Sequence, residues 1–327
     1  MIVDCGHYID GVRQHEDQMT LAQAASCLRR GEGFVWVGIA DPSAAELDNL
    51  SSELSLHELA VEDARKAHQR PKIEEYDEHT FVALRSARYL EDEERVEFGE
   101  IHLFLGRGYV VTVRHGAASE LHRVRLALEA RPDLLTHGPI AVLWGVLDRV
   151  VDDYEPVVAG VEDDIVEVEE VVFQVDNEDD MTSRIYFLRR EVIDFYRAVH
   201  PLLAHLDAAI SDGNERVEPM REYLRDVADH VKRVQDEVVA QRDQLQSVLD
   251  ASVALITRRQ SEIVRTISAW AAISPLGEAE RVYREEKRRV ENDTGRCGTC
   301  GGRPPCRPDE SNATEPHRRT AWHVTRM

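Results

Sequence analysis

The sequence predicts an α+β protein. A mixed α/β N-terminal domain, with a sheet and packed helices, is followed by long helices, the last of which is very long. Up to residue 115, short segments rich in β-branched or aromatic residues alternate with helical segments. From Pro139 onward the patterns are helical and are separated by proline or polar residues. A helix-covered sheet followed by an elongated helical region accommodates both observations.

Strands are predicted where apolar residues are β-branched or aromatic. Four segments have this composition: 34–39, 80–89, 96–105 and 109–114. Gly106-Arg107-Gly108, between the last two, is typical of a hairpin turn. Helical patterns occur at 21–30, 44–53 and 119–129. We therefore expect a sheet with helices packed on it.

Three long helices are predicted in the second half, at 139–175, 178–210 and 217–273. Pro139 and Pro219 suit a first helical turn, where no N–H donor is needed. In the third helix, an apolar residue recurs at helical spacing at Val227, Val231, Val234 and Val238. At ~1.5 Å per residue this helix would be on the order of 80 Å long. Because a small domain cannot bury such a helix, we expect an oligomer or a long antiparallel hairpin.

These breaks divide the chain into four segments. They are an α/β domain at 1–135, an antiparallel helical hairpin at 136–215, a long helix at 216–273 and a tail at 274–327. Ser274-Pro275 is expected to end the long helix, because proline lacks the N–H that continues it. The second half of the tail is rich in Gly, Pro and Arg, which predicts disorder.

The charge balance bears on the kind of partner. The chain carries 62 acidic and 40 basic side chains, a net charge of −22, which disfavours nucleic acid and favours cations. No apolar run approaches the roughly 18 residues of a membrane span, and none resembles a secretory signal. No nucleophile, phosphate loop or His–carboxylate arrangement accompanies the acids, so we expect no enzymatic activity.

The segment 56–84, LHELAVEDARKAHQRPKIEEYDEHTFVAL, is the most informative motif. Adjacent acids, Glu62 and Asp63, lie on a short helical pattern that ends before Pro71. Alone, the pattern is also typical of a solvated acidic helix end followed by a turn. As a string it resembles the signature of the CorA family of magnesium and cobalt channels. The segments GPIAVLWGVLDRVV, LRREVIDFYRAVHPLL and YLRDVADHVKRVQ resemble successive helices of that family, so the resemblance covers most of residues 1–273.

The resemblance implies a divalent cation (magnesium, cobalt) transport protein, here mainly its magnesium-sensing cytosolic domain, assembled as a homopentamer. It implies regulatory metal sites between protomers, where Asp63 faces Asp226 of a neighbouring subunit and Glu62 and Asp148 complete a second site. The ion expected there is Mg2+, with Co2+ as a second candidate, and Mg2+ takes oxygen ligands. Each acid considered alone is more often a solvated surface residue.

The resemblance also makes the long helix a pore-type helix. By position, Asp250, Thr257 and Ser261 match polar pore-facing sites, and Val264 and Ile267 match an apolar gate. Ser261 stands where the family usually has Asn, so it offers a smaller hydrogen-bonding group. The alternative for the apolar positions is an ordinary coiled-coil stripe.

Beyond Ile273 the resemblance stops. The family continues with two membrane helices and a Gly-Met-Asn motif, and residues 274–327 contain neither. We interpret this tail as the product of a reading-frame shift, with a natural truncation as the alternative. The family implies an inner-membrane protein with this region in the cytoplasm, and contact with the membrane only if the missing spans are restored.

Other functions remain open from the sequence. The chain could be a freestanding soluble metal-sensing or assembly-modulating subunit, or a zinc-transporting relative within the same superfamily. A helical scaffold without a metal role is the third alternative. A selectivity loop would help to separate the zinc-transporting relative from a magnesium channel, and residues 1–327 contain none. The freestanding subunit is favoured if the short chain is expressed and stays soluble.

Overall fold

A mixed sheet forms the centre of the N-terminal half. The computed structural model describes residues 1–15, 18–67, 69–172, 178–211 and 215–294. Seven strands lie within these ranges: β1 Ile2–Ile9, β2 Val12–Arg13, β3 Phe34–Ala40, β4 Lys72–Glu75, β5 His79–Leu90, β6 Arg95–Gly106 and β7 Tyr109–His115. Their order is β2-β1-β3-β7-β6-β5-β4, with β3 and β7 parallel and the other neighbours antiparallel. The predicted sheet is thereby confirmed.

Both faces of the sheet are buried. Successive side chains of a strand point to opposite faces, and β3 shows this directly. Phe34 and Trp36 belong to one apolar core, and Val35 and Val37 belong to the other. The sheet therefore separates two cores, each closed by its own layer of helices.

The first helical layer consists of α1 Leu21–Arg30, α2 Ala44–Leu54 and α3 Glu58–Lys66. Helices α1 and α2 begin with reciprocal capping boxes, Thr20 with Gln23 and Ser43 with Glu46. These bonds satisfy N–H groups that a helix start leaves without partners. The apolar sides of all three helices pack on the same core as Val35.

The second layer covers the opposite face and contains α4 Leu121–Glu129, α5 Pro132–Leu135, α6 Pro139–Asp152, α7 Tyr154–Val172, α8 Glu178–Ser211 and the part of α9 (Arg221–Thr294) that ends at Ile256. Its core joins sheet residues such as Leu103 with Leu147 of α6 and Phe195 of α8. Helix α7 approaches the sheet closely at Gly160, where a Cβ would lie 2.5 Å from Cδ1 of Tyr89. Only glycine fits there without a shift of the tyrosine ring.

The first predicted long helix, 139–175, is two helices. Helix α6 ends at Asp152, Asp153 is a turn residue, and α7 begins at Tyr154. The cause is Pro156, which cannot donate to the carbonyl of Asp152 and whose ring clashes with that group. Asp153 is held at the break by Arg149, at 2.6 Å, and by the hydroxyl of Ser119, at 3.0 Å.

The predicted end of the last long helix at Ile273 is wrong. Helix α9 passes through Ser274 and Pro275 and continues to Thr294. An internal proline removes one hydrogen bond and bends a helix without having to end it, and α8 likewise contains Pro201. The residues after Pro275 are rich in Glu, Ala and Arg, which are strong helix formers. Positions 295–327 of the predicted tail lie outside the described residues.

The compact units differ from the predicted division at 135/136. Residues Met1–Ile256 form one unit, and the described residues from Thr257 onward belong to the other. The sheet and helices α6 to α8 belong to one unit because they share a core, to which Val82, Val146 and Val192 all contribute. In the described part of the chain, no helix combines the length and the apolar character needed to cross a membrane.

Glu191 of α8 joins the helical layer to the β5–β6 hairpin. Its Oε1 accepts a hydrogen bond from the backbone N–H of Val96 at 3.4 Å. Burial, together with the nearby carboxylate of Asp164, raises the pKa of Glu191 to about 7, although the bond from Val96 opposes this shift. The folded state therefore binds this proton more tightly than the unfolded chain does.

We expect Glu191 to contribute a loss of stability as the pH rises from about 4.5 to about 7, its ordinary and its folded pKa. Over that range the unfolded state has lost the proton and the folded state still holds it, so each increase in pH lowers the free energy of unfolding. Glu191→Gln should flatten this part of the profile in urea unfolding. Glu162→Gln, on the exposed side of α7, should leave it unchanged; equal profiles for all three proteins would contradict the assignment.

A shared core also predicts one cooperative transition for sheet and helices. Phe195 is fully buried and meets Tyr154 edge to face at 5.3 Å, whereas Phe187 of the same helix is 63% exposed. Phe195→Ala should therefore cost about 3–5 kcal/mol of unfolding free energy, and Phe187→Ala at most about 0.5 kcal/mol. Urea unfolding followed by fluorescence and by circular dichroism measures both. Separate transitions for sheet and helix signals would show that the cores are independent.

Candidate divalent-cation site

Helix α3 presents the two acids of the 56–84 segment. Its first turn is capped by His57, whose Nδ1 accepts a hydrogen bond from the N–H of Leu59 at 3.3 Å. The side facing the sheet is apolar and buried, and consists of Ala60, Val61 and Ala64. This packing leaves Glu62 exposed and Asp63 partly buried on the other side.

Each of the two α3 acids is paired with a lysine side chain of the same chain. The ammonium of Lys72, on β4, donates to Oδ2 of Asp63 at 2.6 Å and to Oε2 of Glu74 at 2.7 Å. Burial alone would lower the pKa of Lys72, but these two bonds outweigh burial and raise it. Glu62 pairs with Lys66 one turn later. The negative charge of α3 is therefore partly neutralised within the chain.

A second group of acids lies between α6 and α9. Burial raises the pKa of Asp148, and the carboxylates of Asp152 and Asp226 raise it further, while His230 and Arg131 oppose the rise. Within the described residues, none of these three acids forms a hydrogen bond or an ion pair with a basic side chain, although Arg131 and His230 lie close enough to act on Asp148. Asp148 is partly buried, whereas Asp152 and Asp226 are exposed, so like charges from two helices lie near each other and water screens part of their repulsion.

The space beside Asp148 is a cavity of ≈ 310 Å³ between α4 and α6. Three arginines, Arg123, Arg131 and Arg149, line it together with Trp144, Asp148 and Asp152. A divalent cation prefers carboxylate oxygens, and Mg2+ needs only one or two of them because it retains several waters. Within the described residues, these acids and His230 do not form a compact set of three ligand atoms, so a cation here would be held by one or two carboxylates and its own waters.

The four predicted ligands fall into two pairs. Asp148 and Asp226 come together in one chain, on the helical layer that covers one face of the sheet. Glu62 and Asp63 lie on α3, which packs on the opposite face. Because the sheet stands between the pairs, a site with Asp63 and Asp226 requires a second chain. The predicted pairings of Asp63 with Asp226 and of Glu62 with Asp148 stay predictions.

Sequence reasoning missed two members of the second group. Asp152 follows Asp148 by four residues, and His230 follows Asp226 by four. Residues at this spacing are neighbours on one side of a helix, so the signal was present in the sequence. Lys72 was missed for a different reason, because its contact with Asp63 depends on how β4 lies beside α3.

Another acidic cluster already has its cation. Carboxylate oxygens of Glu94, Asp164 and Glu167 lie within 4.8 Å of one another. Arg184 pairs with all three, at 2.8 Å from Glu94 and 3.9 Å from Asp164. The hydroxyl of Tyr89 donates to Asp164 at 2.9 Å. With an arginine at its centre, this cluster is the weaker candidate for a metal ion.

The predicted pore-facing residues all lie on α9. In the first compact unit, Asp250 is exposed and accepts a hydrogen bond from Gln246 at 2.9 Å. In the second unit, the hydroxyl of Ser261 donates to the carbonyl oxygen of Thr257 at 2.9 Å. Val264 and Ile267 are 61% and 62% exposed. Their pore and gate roles stay predictions, since a stripe that packs against another helix would be equally exposed in one chain.

Two curated relatives cover most of this chain. YfjQ of Bacillus subtilis is 28% identical over 241 residues, which are 73% of this chain and 74% of that protein. The cobalt/magnesium transport protein CorA of Thermotoga maritima is 25% identical over 224 residues, 67% of this chain and 62% of that protein. The chain thus spans less than two thirds of the Thermotoga protein.

The fold is shared with a solved transporter. The CorA magnesium transporter from Methanocaldococcus jannaschii superposes with a TM-score of 0.65 at 14% identity, covering 82% of each chain. This likeness confirms the predicted fold class. The family model described as CorA-like Mg2+ transporter protein matches residues 31–277, which is most of the sequence and includes both groups of acids. The chain belongs to this CorA-like family.

Proposed function

We propose that this chain is the cation-sensing part of a CorA-type divalent cation transport protein, with Mg2+ as the regulatory ion and Co2+ as a second ion that it accepts. The observation that carries the proposal is the partly buried Asp148, whose pKa is raised by burial and by the nearby carboxylates of Asp152 and Asp226. Family membership supports the transport role. Members of the family are ion transporters, so the expectation that the chain is not an enzyme is confirmed.

The carboxylates act through their repulsion. With no cation present, Asp148, Asp152 and Asp226 destabilise the packing of α6 against α9, and the acids of α3 repel those of an adjacent protomer. A bound divalent cation supplies two positive charges that turn this repulsion into attraction. The acids and their bound cation then hold α6, α9 and the α3 of a neighbouring protomer together. The coupling free energy between cation binding and assembly would be about 1–3 kcal/mol per site, as in typical allosteric proteins.

Assembly and transport belong to the same proposal. The homopentamer, the inner-membrane location with this region in the cytoplasm, and the pore roles of Asp250, Thr257, Ser261, Val264 and Ile267 rest on the family. In this scheme, low cytoplasmic magnesium frees the carboxylates, loosens the protomers and permits uptake. Sensing near the cell's own free magnesium requires weak binding, which sparse carboxylates with retained waters provide.

Removing one of the unmatched charges should stabilise the metal-free chain. The folded pKa of Asp148 is raised, so its ionised form costs stability above the unfolded pKa and a neutral side chain avoids that cost. We expect Asp148→Asn to raise the unfolding free energy in EDTA at pH 7, by roughly 0.2–0.5 kcal/mol for the Asp148–Asp152 pair alone. Asp229→Asn, exposed on α9, is the matched control. A loss of stability in Asp148→Asn alone would contradict the repulsion.

The sensor role predicts a response to Mg2+ that requires Asp226. At a concentration of 100 times Kd, Mg2+ should raise the unfolding free energy of the parent by about 2.7 kcal/mol. Asp226→Asn should lose most of this rise, and Asp229→Asn should keep it. Urea unfolding in Mg2+, compared with NaCl at equal ionic strength, separates specific binding from screening. The proposal fails if Mg2+ and NaCl act alike on the parent.

Assembly supplies an independent measurement. We expect Mg2+ to shift the sedimentation of the full chain toward an oligomer and to slow its cleavage by a protease, because bridged protomers open less often. Asp63→Asn should weaken both effects if α3 contributes to the site of a neighbouring protomer. Sedimentation of a monomer at every Mg2+ concentration would overturn the interprotomer arrangement.

A further inference from the structure

Asp63 is the one predicted α3 ligand that a partly buried cation already holds. The ammonium of Lys72 lies 2.6 Å from Oδ2 of Asp63, and the two side chains are only 22% and 25% exposed. By contrast, Lys66 beside Glu62 is 64% exposed. An exposed pair one turn apart on a helix contributes only a few tenths of a kcal/mol because water screens it. The Lys72–Asp63 contact is better shielded.

We propose that Lys72 is a built-in competitor for the divalent cation at Asp63 and sets how much cation the sensor needs. This inference rests on the proposed sensing function and adds its regulation. The ammonium places a positive charge on the carboxylate that the cation must approach. Repulsion between the two cations weakens binding, and any displacement of Lys72 has to break the contact with Asp63 first.

The surroundings of Lys72 fix its position. Strand β4 pairs with β5, with Lys72 opposite Ala83. At the other end of the strand, Tyr76 stacks on His57, the residue that caps α3, with ring centroids 4.2 Å apart. Tyr76 also donates to Glu74 at 3.1 Å. Because the chain around β4 contacts His57 through Tyr76 and Asp63 through Lys72, the backbone of Lys72 is held next to α3.

Glu74 makes the exchange reversible. The ammonium of Lys72 bridges Asp63 and Glu74, with Oε2 of Glu74 at 2.7 Å. When a cation takes Asp63, Lys72 keeps Glu74 and is not left as an unpaired charge in a partly buried place, which would be costly. Lys72 contacts Oδ2 of Asp63, which leaves Oδ1 as the oxygen that an arriving cation would approach.

The test is a Mg2+ titration of the full chain, read by the thermal unfolding midpoint and by protease protection, at constant ionic strength. Lys72→Met should lower the Mg2+ concentration at half effect by on the order of tenfold, the size expected when one unit charge near a divalent ion is removed. Lys72→Arg keeps the charge and should stay near the parent. Arg88→Met removes the same charge from an ion pair with Glu97 and should also stay near the parent.

A double-mutant cycle with Asp63→Asn assigns the effect to the contact. If Lys72 acts through Asp63, Lys72→Met should shift the half-effect concentration in the parent and not in Asp63→Asn. An equal shift in both backgrounds, or a shift as large in Arg88→Met, would reduce the effect to general charge and overturn the inference. Weaker Mg2+ binding in Lys72→Met would make Lys72 a positioning residue, contrary to the proposal.

The outcomes separate the inference from the function on which it rests. A parent that responds to Mg2+ with the same half-effect concentration as Lys72→Met overturns the competition and leaves the sensor standing. A parent that does not respond while Lys72→Met does would support a lysine that blocks the site. If neither protein responds to Mg2+ beyond NaCl, the sensor function fails and the inference fails with it.

Discussion

The burial of one sheet on both faces is the constraint on which the rest of the structure depends. Strand β3 sends Phe34 and Trp36 into one core and Val35 and Val37 into the other. Two cores require two helical layers, because either face left open would expose a large apolar surface to water. The layers then determine where charged residues can lie, namely on the outer sides of α3 on one face and of α6 and α9 on the other.

This arrangement explains why the acids differ in character. On α3, Asp63 lies beside strand β4 at the edge of the sheet, and that strand supplies Lys72 as a counter-ion. On the other face, Asp148 and Asp226 lie on packed helices whose nearby basic groups do not offset the burial and the like charges, so the pKa of Asp148 is raised. One set of carboxylates is balanced within the chain and the other is not. The proposed cation binding would use both sets. At Asp63 the cation would compete with Lys72, and at Asp148 it would relieve repulsion between carboxylates.

The predictions from the sequence succeeded where a local pattern decides the structure. The four predicted strands correspond to β3, β5, β6 and β7, whose residues are β-branched or aromatic. Strand β4 was not predicted, because three of the four residues in its sequence, KIEE, are charged. Its hydrogen-bonded pairing with β5 is what makes it a strand. The break at Asp153 follows from Pro156, while Pro275 lies inside α9. Proline alone therefore does not decide a boundary, since the surrounding helix formers and packing also contribute.

The sequence by itself determined the family resemblance, the fold class and the identity of the acids, because these depend on residue type and short-range order. The spacing of Asp152 from Asp148 and of His230 from Asp226 was also present in it. Only the tertiary structure decided that Asp148 meets Asp226 and that Lys72 holds Asp63. Asp148 and Asp226 are far apart in the chain, and Asp63 and Lys72 lie on different elements, so helix packing and strand pairing bring each pair together. Burial then sets the strength of these charges, and burial is a property of the folded chain.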